Sequence, residues 1–91
     1  MSDQQPVELT IYGRDGCHLC DVAEQVLLDA QLQWNFRLIK VDIDTSDELF
    51  KRFLERIPVV ELAGATLFEF DVDRERLDDV LADAGTMRFD R

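Results

Sequence analysis

The chain has 91 residues, of which 46% are hydrophobic and 33% charged, and this length and composition are typical of one globular domain. Its formal charge of −10 would repel nucleic acid and anionic membrane surfaces. No apolar stretch approaches the roughly 18 residues of a membrane span, and the first six residues lack the basic start and apolar run of a secretory signal. We therefore expect a monomeric cytoplasmic protein with one domain over residues 1–91 and a core from about 7 to 84.

The first half of the chain predicts a β-α-β unit. Alternating apolar and polar residues predict a strand over Val7–Tyr12, and the segment 13–16, which has a glycine at each end, predicts a loop. We expect a helix from near Cys17 to near Ala30, because its apolar residues recur every three or four positions. Those residues are Leu19, Val22, Ala23, Val26, Leu27 and Ala30. A strand over Phe36–Ile43 follows, parallel to the first through a right-handed crossover.

The second half predicts a helix, a hairpin and a last helix. Thr45 and Glu48 fit a capping box, and Pro58 ends the helix because proline disfavours helical geometry in the residue before it. Two strands, Val59–Leu62 and Thr66–Phe70, flank a three-residue loop. Asp73 is expected to cap the last helix and Gly85 to end it. The stripe expected to be buried consists of Leu77, Val80, Leu81 and Ala84. The sequence therefore predicts an α/β fold, β-α-β-α-β-β-α, with a four-stranded mixed sheet flanked by helices.

The two cysteines of the chain, Cys17 and Cys20, lie three residues apart at the predicted start of the first helix. Free backbone N–H groups and the positive end of the helix dipole favour a thiolate over a thiol at this place. We therefore predict that Cys17 is the attacking nucleophile and that Cys20, one turn further along, is the resolving thiol. Arg14 and a protonated His18 would stabilise the same thiolate, whereas the neighbouring aspartates would oppose them.

Two other interpretations of the cysteine pair stay open at this stage. A structural zinc site needs four ligands, whereas this chain offers two cysteines and the adjacent His18. One chain is therefore predicted to hold no metal, and a shared zinc ion or iron–sulfur cluster would need a dimer. In the second interpretation, the fold is a binding module that docks a partner, and the cysteines are incidental.

Residues 7–84 resemble the glutaredoxin-like branch of the thioredoxin superfamily, and in particular the short bacterial glutaredoxin-like proteins of unassigned function. The resemblance rests on Tyr12 at the end of the first strand, Cys17-His18-Leu19-Cys20, the proline at Pro58 and the order of the elements. It implies a thioredoxin-like fold of the glutaredoxin type, with a redox-active disulfide that carries out thiol–disulfide exchange and electron transport.

The resemblance also implies a set of substrate-binding residues. In that family the proline peptide is cis and lies beside the redox pair, so we expect a cis peptide at Pro58. The preceding residue, Ile57, is expected to offer its backbone to an extended thiol peptide. Arg14, which precedes the motif, and His18 and Leu19, which lie within it, complete the set.

The expected substrate is a protein disulfide, and the acidic charge favours a partner with a basic surface. The expected electron donor is a reductase or glutathione. Typical glutaredoxins carry an aromatic residue at the position of Leu19 and two glycines near Phe70-Asp71, and both departures, with the negative charge, argue against glutathione as the normal cofactor. We therefore expect no bound cofactor and a reaction through a mixed disulfide at Cys17.

Overall fold

The computed structural model describes residues 7–89, which form helices packed on a five-stranded sheet. In chain order the elements are β1 (Val7–Gly13), α1 (His18–Ala30), β2 (Trp34–Asp42), α2 (Asp47–Phe53), β3 (Val59–Leu62), β4 (Ala65–Glu69), α3 (Arg74–Asp83) and β5 (Met87–Arg88). The α/β class and the order of the first seven elements confirm the prediction. None of the helices in this part of the chain has the length and apolar character needed to cross a membrane.

The sheet has the strand order β4-β3-β1-β2-β5. β1 is parallel to β2 and antiparallel to β3, and the remaining pairs are antiparallel, so the sheet is mixed as expected. The predicted count of four strands is wrong, because β5 pairs with the start of β2 through Trp34 and Arg88. This pairing also explains why β2 begins at Trp34, two residues before its predicted start at Phe36. Two residues are too few to show an alternating pattern, so the sequence did not indicate β5.

Alternate residues of the sheet supply two hydrophobic clusters on its opposite faces. Ile11 belongs to the larger cluster, which the sheet forms with α1 and α3. The next residue, Tyr12, packs against the smaller cluster beneath α2. The fully buried members of this smaller cluster are Ile43, Phe53 and Val59. The sheet is therefore covered on both faces, and its β1 strand lies between the two clusters.

The start of α2 differs from the predicted capping box. The Ser46 hydroxyl is the N-cap and accepts a hydrogen bond from the Leu49 N–H at 3.3 Å. Thr45 instead donates its hydroxyl to the Asp42 carbonyl at 2.7 Å, within a short 3₁₀ turn that precedes the helix. The box formed by Thr45 and Glu48 is therefore wrong by one residue, because this turn delays the start of the helix.

The end of α2 and the hairpin also differ from the predictions. The helix ends at Phe53, well before Pro58. A turn follows it directly, in which the Arg56 N–H donates to the Phe53 carbonyl. The hairpin loop has two residues rather than three, because Ala65 already belongs to β4. Its residues Ala63 and Gly64 have φ angles of 52° and 83°. Positive φ at both central residues is the requirement of a type I′ turn, which matches the twist of the two strands.

α3 begins and ends where the sequence predicts. The Asp73 side chain accepts a backbone N–H of the first turn at 3.0 Å, and Gly85 follows the helix with a φ of 74°. One side chain of α3 ties it to the sheet. The Asp78 carboxylate accepts from the Trp34 indole at 2.9 Å and from the Arg74 guanidinium at 3.0 Å.

The Asp78 contacts predict a stability difference that depends on pH. Burial raises the pKa of this carboxyl, but hydrogen bonds from Arg74 and Trp34 and the nearby positive charges outweigh burial and lower the pKa below its usual 3.8. A lowered folded-state pKa stabilises the fold above about pH 4, and this contribution is lost as the pH falls through the folded-state value. We expect Asp78→Asn to be less stable than the wild type at about pH 6, and we expect this difference to shrink as the pH falls below about 4.

Urea unfolding across this pH range measures the difference. The matched control is Asp79→Asn, because Asp79 is the next residue of the same helix and is exposed. If the stability of Asp78→Asn stays below that of the wild type by the same amount in acid, the stabilising role of the Asp78 carboxylate is contradicted.

Candidate functional site

Cys17 is the N-cap of α1, so the helix begins at the first sulfur as predicted. Its backbone is extended, with φ −99° and ψ 106°, and its sulfur accepts a hydrogen bond from the Cys20 N–H at 3.1 Å. The Cys17 carbonyl accepts the Asp21 N–H at 3.1 Å and starts the helical ladder. The sulfur therefore takes the place of the capping oxygen that usually satisfies a free N–H at this end of a helix. A negative charge at this atom is stabilised by the same N–H group and by the helix dipole.

The sulfurs of Cys17 and Cys20 form a disulfide, with 5.2 Å between the two Cα atoms. The two residues differ in exposure. Cys17 is partly exposed, whereas only 7% of Cys20 is accessible. More of the accessible surface of the pair therefore belongs to Cys17 than to Cys20.

Gly13, the last residue of β1, lies against the second sulfur. A Cβ atom at this position would lie 3.0 Å from Cys20 Sγ and 3.1 Å from Cys20 Cβ. Both distances are shorter than ordinary van der Waals contact, so the absence of a side chain at Gly13 makes room for Cys20. The sequence analysis assigned Gly13 to a loop and gave it no role. A glycine directly after an alternating strand is the signal that could have indicated a close approach.

Pro58 lies one strand away from Gly13. β1 and β3 are antiparallel with Tyr12 opposite Val59, so the residue before Val59 comes next to the residue after Tyr12. Pro58 is fully buried and the Ile57–Pro58 peptide bond is cis, the geometry that the family resemblance implied. Ile57 is half-buried and packs on the cluster beneath α2. The structure thus brings Pro58 to the strand end that carries the cysteine pair.

The other three predicted substrate-binding residues lie around the cysteine pair in different surroundings. His18 is exposed as the first residue of α1, and 51% of Leu19 is accessible. Arg14 lines a cleft with Cys20, but its guanidinium is already engaged by the protein. It pairs with Asp44 at 3.3 Å and lies 5.3 Å from the centre of the Phe50 ring. These contacts hold Arg14 in place beside the motif.

The predicted apolar stripe of α1 is wrong in its first turns. Leu19 and Val22 are 51% and 45% exposed, although their spacing suggested burial. The residues that do face the core are Cys20, Ala23, Leu27 and Ala30. Leu19 and Val22 each precede a member of this narrow stripe by one position, which turns their side chains about 100° away from it. The helix therefore presents apolar side chains to solvent in its first two turns, next to Cys17.

An acidic cleft lies beside Cys20, lined by residues of α1 and of the ends of β1 and β2. Its carboxylates are those of Asp15, Asp21, Glu24 and Asp42. Lys40 also lines the cleft, and it is held by Glu24 with 3.1 Å between Nζ and Oε1. The hydrogen bond and the charge of Glu24 raise the pKa of Lys40, and two further cleft carboxylates act in the same direction. The surface beside the second sulfur is therefore negative in sum.

A model of the family described as "Glutaredoxin-like domain (DUF836)" matches residues 8–82 of the chain. This chain belongs to the glutaredoxin-like family. No curated protein matches its sequence. The family membership confirms the resemblance inferred from the cysteine motif, the proline and the order of the elements.

Two solved structures of bacterial proteins are similar to this glutaredoxin-like chain. The NMR structure of protein Ne2328 from Nitrosomonas europaea is 29% identical, with a TM-score of 0.72, over 88% of this chain and 98% of that one. The X-ray structure of protein XcR50 from X. campestris is 32% identical, with a TM-score of 0.69, over 82% and 96% of the two chains. The Drosophila melanogaster thioredoxin Deadhead is 18% identical with a TM-score of 0.57, which shows a shared thioredoxin-like fold.

Groupings of metal-ligating side chains bear on the interpretation of the cysteine pair as half of a metal site. Within residues 7–89, no three His, Cys, Asp or Glu side chains come close enough together to hold a metal ion. Cys17 and Cys20 are engaged with each other in the disulfide.

Phe70 is a feature of this glutaredoxin-like chain that the sequence analysis missed. Its φ of 71° lies in the left-handed region, which costs a residue with a side chain roughly 1–2 kcal/mol. The sequence predicted that β4 extends through Phe70, but the strand ends at Glu69 because the backbone turns at the next residue. Such conformations are usually signalled by glycine or asparagine, so an aromatic residue gives no warning of one.

Proposed function

We propose that this protein is a thiol–disulfide oxidoreductase or electron carrier that acts on protein disulfides through Cys17 and Cys20. One observation carries the proposal: the Cys17 sulfur caps a helix, reaches solvent and is bonded to a shielded Cys20. This arrangement gives one sulfur that can attack and one that can resolve, with an N–H donor at 3.1 Å to stabilise the attacking thiolate.

The reaction begins from the reduced pair. The Cys17 thiolate attacks one sulfur of the substrate disulfide, and the other substrate sulfur leaves as a thiolate. Cys20 loses its proton and attacks the Cys17 sulfur, which breaks the mixed disulfide and releases the second substrate thiolate. The substrate has then gained two electrons, and the protein has lost two by forming the Cys17–Cys20 disulfide. A reductase or glutathione returns these electrons in the next cycle, and the protein itself needs no bound cofactor.

The same proposal gives roles to the residues around the pair. His18 and Leu19 are assigned to contact with the substrate, since both are exposed in the first turn of α1. Ile57 and Pro58, at the start of β3, receive the backbone of the substrate. Arg14, in the loop before Cys17 and held by Asp44, adds positive charge near the motif. The acidic cleft next to Cys20 favours a partner with a basic surface. A monomer in the cytoplasm of a bacterial cell, where dithiols are kept reduced, fits this activity.

Equilibration in graded redox buffers followed by trapping of free thiols tests the proposal. We expect a single two-electron transition between the Cys17–Cys20 dithiol and the disulfide. We also expect Cys20→Ser to accumulate a mixed disulfide when it is mixed with insulin, a general protein-disulfide probe. Cys17→Ser is the matched control and should accumulate none.

Two results would overturn the proposal. In the first, the pair shows no transition at any potential; in the second, Cys17→Ser captures as much insulin as Cys20→Ser. Partner binding that persists unchanged in Cys17→Ser, without any exchange, would support the binding-module interpretation instead. Visible absorbance after anaerobic incubation with iron and sulfide would support a cluster carrier.

A further inference from the structure

Phe70 is the centre of a tight turn that a residue with a side chain adopts at a cost. The Asp71 N–H bonds to the Glu69 carbonyl at 2.8 Å, so the chain reverses around Phe70 in a γ-turn with positive φ. Turns of this kind are rare and strained. A second hydrogen bond, from the Phe70 N–H to the Pro58 carbonyl at 2.8 Å, ties the turn to the start of β3.

The core does not account for an aromatic residue at this position. Phe70 is 48% exposed, so half of its surface faces solvent. Glycine would adopt the same backbone conformation without strain, since it has no Cβ. Strained residues concentrate at functional sites, where the surrounding structure holds them in place. The strain and the exposure together point to a role for the ring outside the core.

The sheet places Phe70 at the end that carries the cysteine pair. Gly13 contacts Cys20, Pro58 lies next to Gly13, and Phe70 is bonded to Pro58, so three adjacent strands lead from the sulfur to the ring. With about 4.8 Å between neighbouring strands, the Phe70 backbone lies roughly 10 Å from that of Gly13. An extended peptide covers this distance in about three residues.

We propose that Phe70 is a specificity-determining residue, whose ring contacts an apolar side chain within three residues of the cysteine that Cys17 attacks. This inference rests on the proposed function and adds a substrate class, namely disulfides flanked by apolar residues. Leu19, also half exposed, supplies a second apolar contact on the helix side of the pair. Burial of both side chains against the substrate lowers the free energy of the encounter.

The probes are two short synthetic peptides that each contain one cysteine, held as a mixed disulfide with thionitrobenzoate. One peptide has leucine and the other serine at the three positions on each side of the cysteine. Attack of the reduced Cys17 thiolate on the peptide sulfur breaks the mixed disulfide and expels thionitrobenzoate as a yellow thiolate. Cys20 then attacks Cys17 and releases the peptide thiolate, so the first-turnover absorbance reports the attack on each peptide.

We expect the wild type to react about tenfold faster with the leucine peptide than with the serine peptide, a ratio that corresponds to about 1.4 kcal/mol. Phe70→Ala and Phe70→Gly should both lose most of this preference, the remainder coming from Leu19, and keep the wild-type rate with the serine peptide. Phe70→Gly should also have a higher Tm than Phe70→Ala, because glycine relieves the positive φ. If the ring only supported the fold, the more stable Phe70→Gly would react faster than the less stable Phe70→Ala, so the reaction rates of the two variants would follow their Tm values.

Two control variants separate the ring from general effects. Ala63→Gly relieves the other positive φ of a non-glycine residue within residues 7–89, at the far end of the β3–β4 hairpin. It should raise Tm and leave the peptide preference intact. Phe89→Ala removes another exposed aromatic ring, which lies beside the start of β2. Gly13 pairs with the other end of β2, at Asp42. Phe89→Ala should also keep the preference.

The outcomes distinguish the two proposals. If the wild type reacts equally with both peptides, or if the Phe70 variants keep the preference, the inference about Phe70 is overturned and the proposed function stands. A uniform loss of rate with both peptides in the Phe70 variants would overturn it as well, because a specificity role affects the ratio. If the wild type reacts no faster than Cys17→Ser, the proposed function itself fails.

Discussion

Phe53→Ala is expected to lower the free energy of unfolding by about 3–5 kcal/mol, the usual cost of removing a buried ring. Phe53 is 1% exposed at the end of α2 and forms the smaller cluster with Ile43 and Val59. Its ring stacks on Tyr12, with 4.4 Å between the ring centres. Alanine would leave a cavity between α2 and the sheet, because the strands on the other side cannot move inward. A domain of this size has a total stability of only about 5–15 kcal/mol, so the loss is a large fraction of it.

Electrostatic contacts add to this cost. The guanidinium groups of Arg52 and Arg56 lie 4.9 and 5.3 Å from the centre of the Phe53 ring. Each such contact contributes about 0.5–1 kcal/mol at an exposed position. Urea unfolding of the wild type, Phe53→Ala and Leu54→Ala measures the difference. Leu54 is the next residue and is exposed, so its variant should lose less than about 1 kcal/mol. Equal losses in the two variants would show that the cluster beneath α2 contributes little.

The features predicted correctly from the sequence are those that local chemistry determines. The start of α1 at Cys17, the Asp73 cap and the end of α3 before Gly85 depend on residues within a few positions of one another. The β-α-β-α-β-β-α order follows from apolar periods of two and of three to four, which can be read along the chain. The cis geometry of the Ile57–Pro58 peptide came from the family resemblance, because a proline alone is seldom cis.

The features missed by the sequence analysis depend on residues far apart in the chain. β5 exists because Arg88 meets Trp34, and Arg14 is held by Asp44, thirty positions later. Leu19 lies at helical spacing, yet the sheet beneath α1 contacts a neighbouring stripe of the helix. Gly13 and Phe70 are of the same kind, since Gly13 lies against Cys20 of α1 and the Phe70 N–H bonds to the Pro58 carbonyl. Local patterns predict the elements, whereas the surroundings of the cysteine pair come from their packing.

The contact between Gly13 and Cys20 predicts that Gly13→Ala raises the reduction potential of the cysteine pair by about 20–60 mV. The new methyl group would lie 3.0 Å from Cys20 Sγ, and overpacking of this kind costs about 1–3 kcal/mol. In the disulfide, Sγ is held by its bond to Cys17 and cannot turn away. In the dithiol it can turn to another rotamer, so the cost falls mainly on the oxidised form. For a two-electron couple, about 1.4 kcal/mol corresponds to about 30 mV, which gives the expected range.

The sign and the control make this prediction specific to the sulfur. A variant that destabilises the disulfide relative to the dithiol is reduced more readily, so its potential becomes less negative. The contact with Cys20 Cβ, at 3.1 Å, exists in both redox forms and lowers the stability of both. Gly16→Ala adds the same methyl group in the loop before Cys17, where nothing lies within 4 Å, and its φ of 78° strains both forms alike. Redox titration with thiol trapping should therefore show a higher reduction potential for Gly13→Ala and an unchanged potential for Gly16→Ala. Equal shifts in the two variants would contradict the prediction, because the loop backbone, rather than the room for the Cys20 sulfur, would then set the potential.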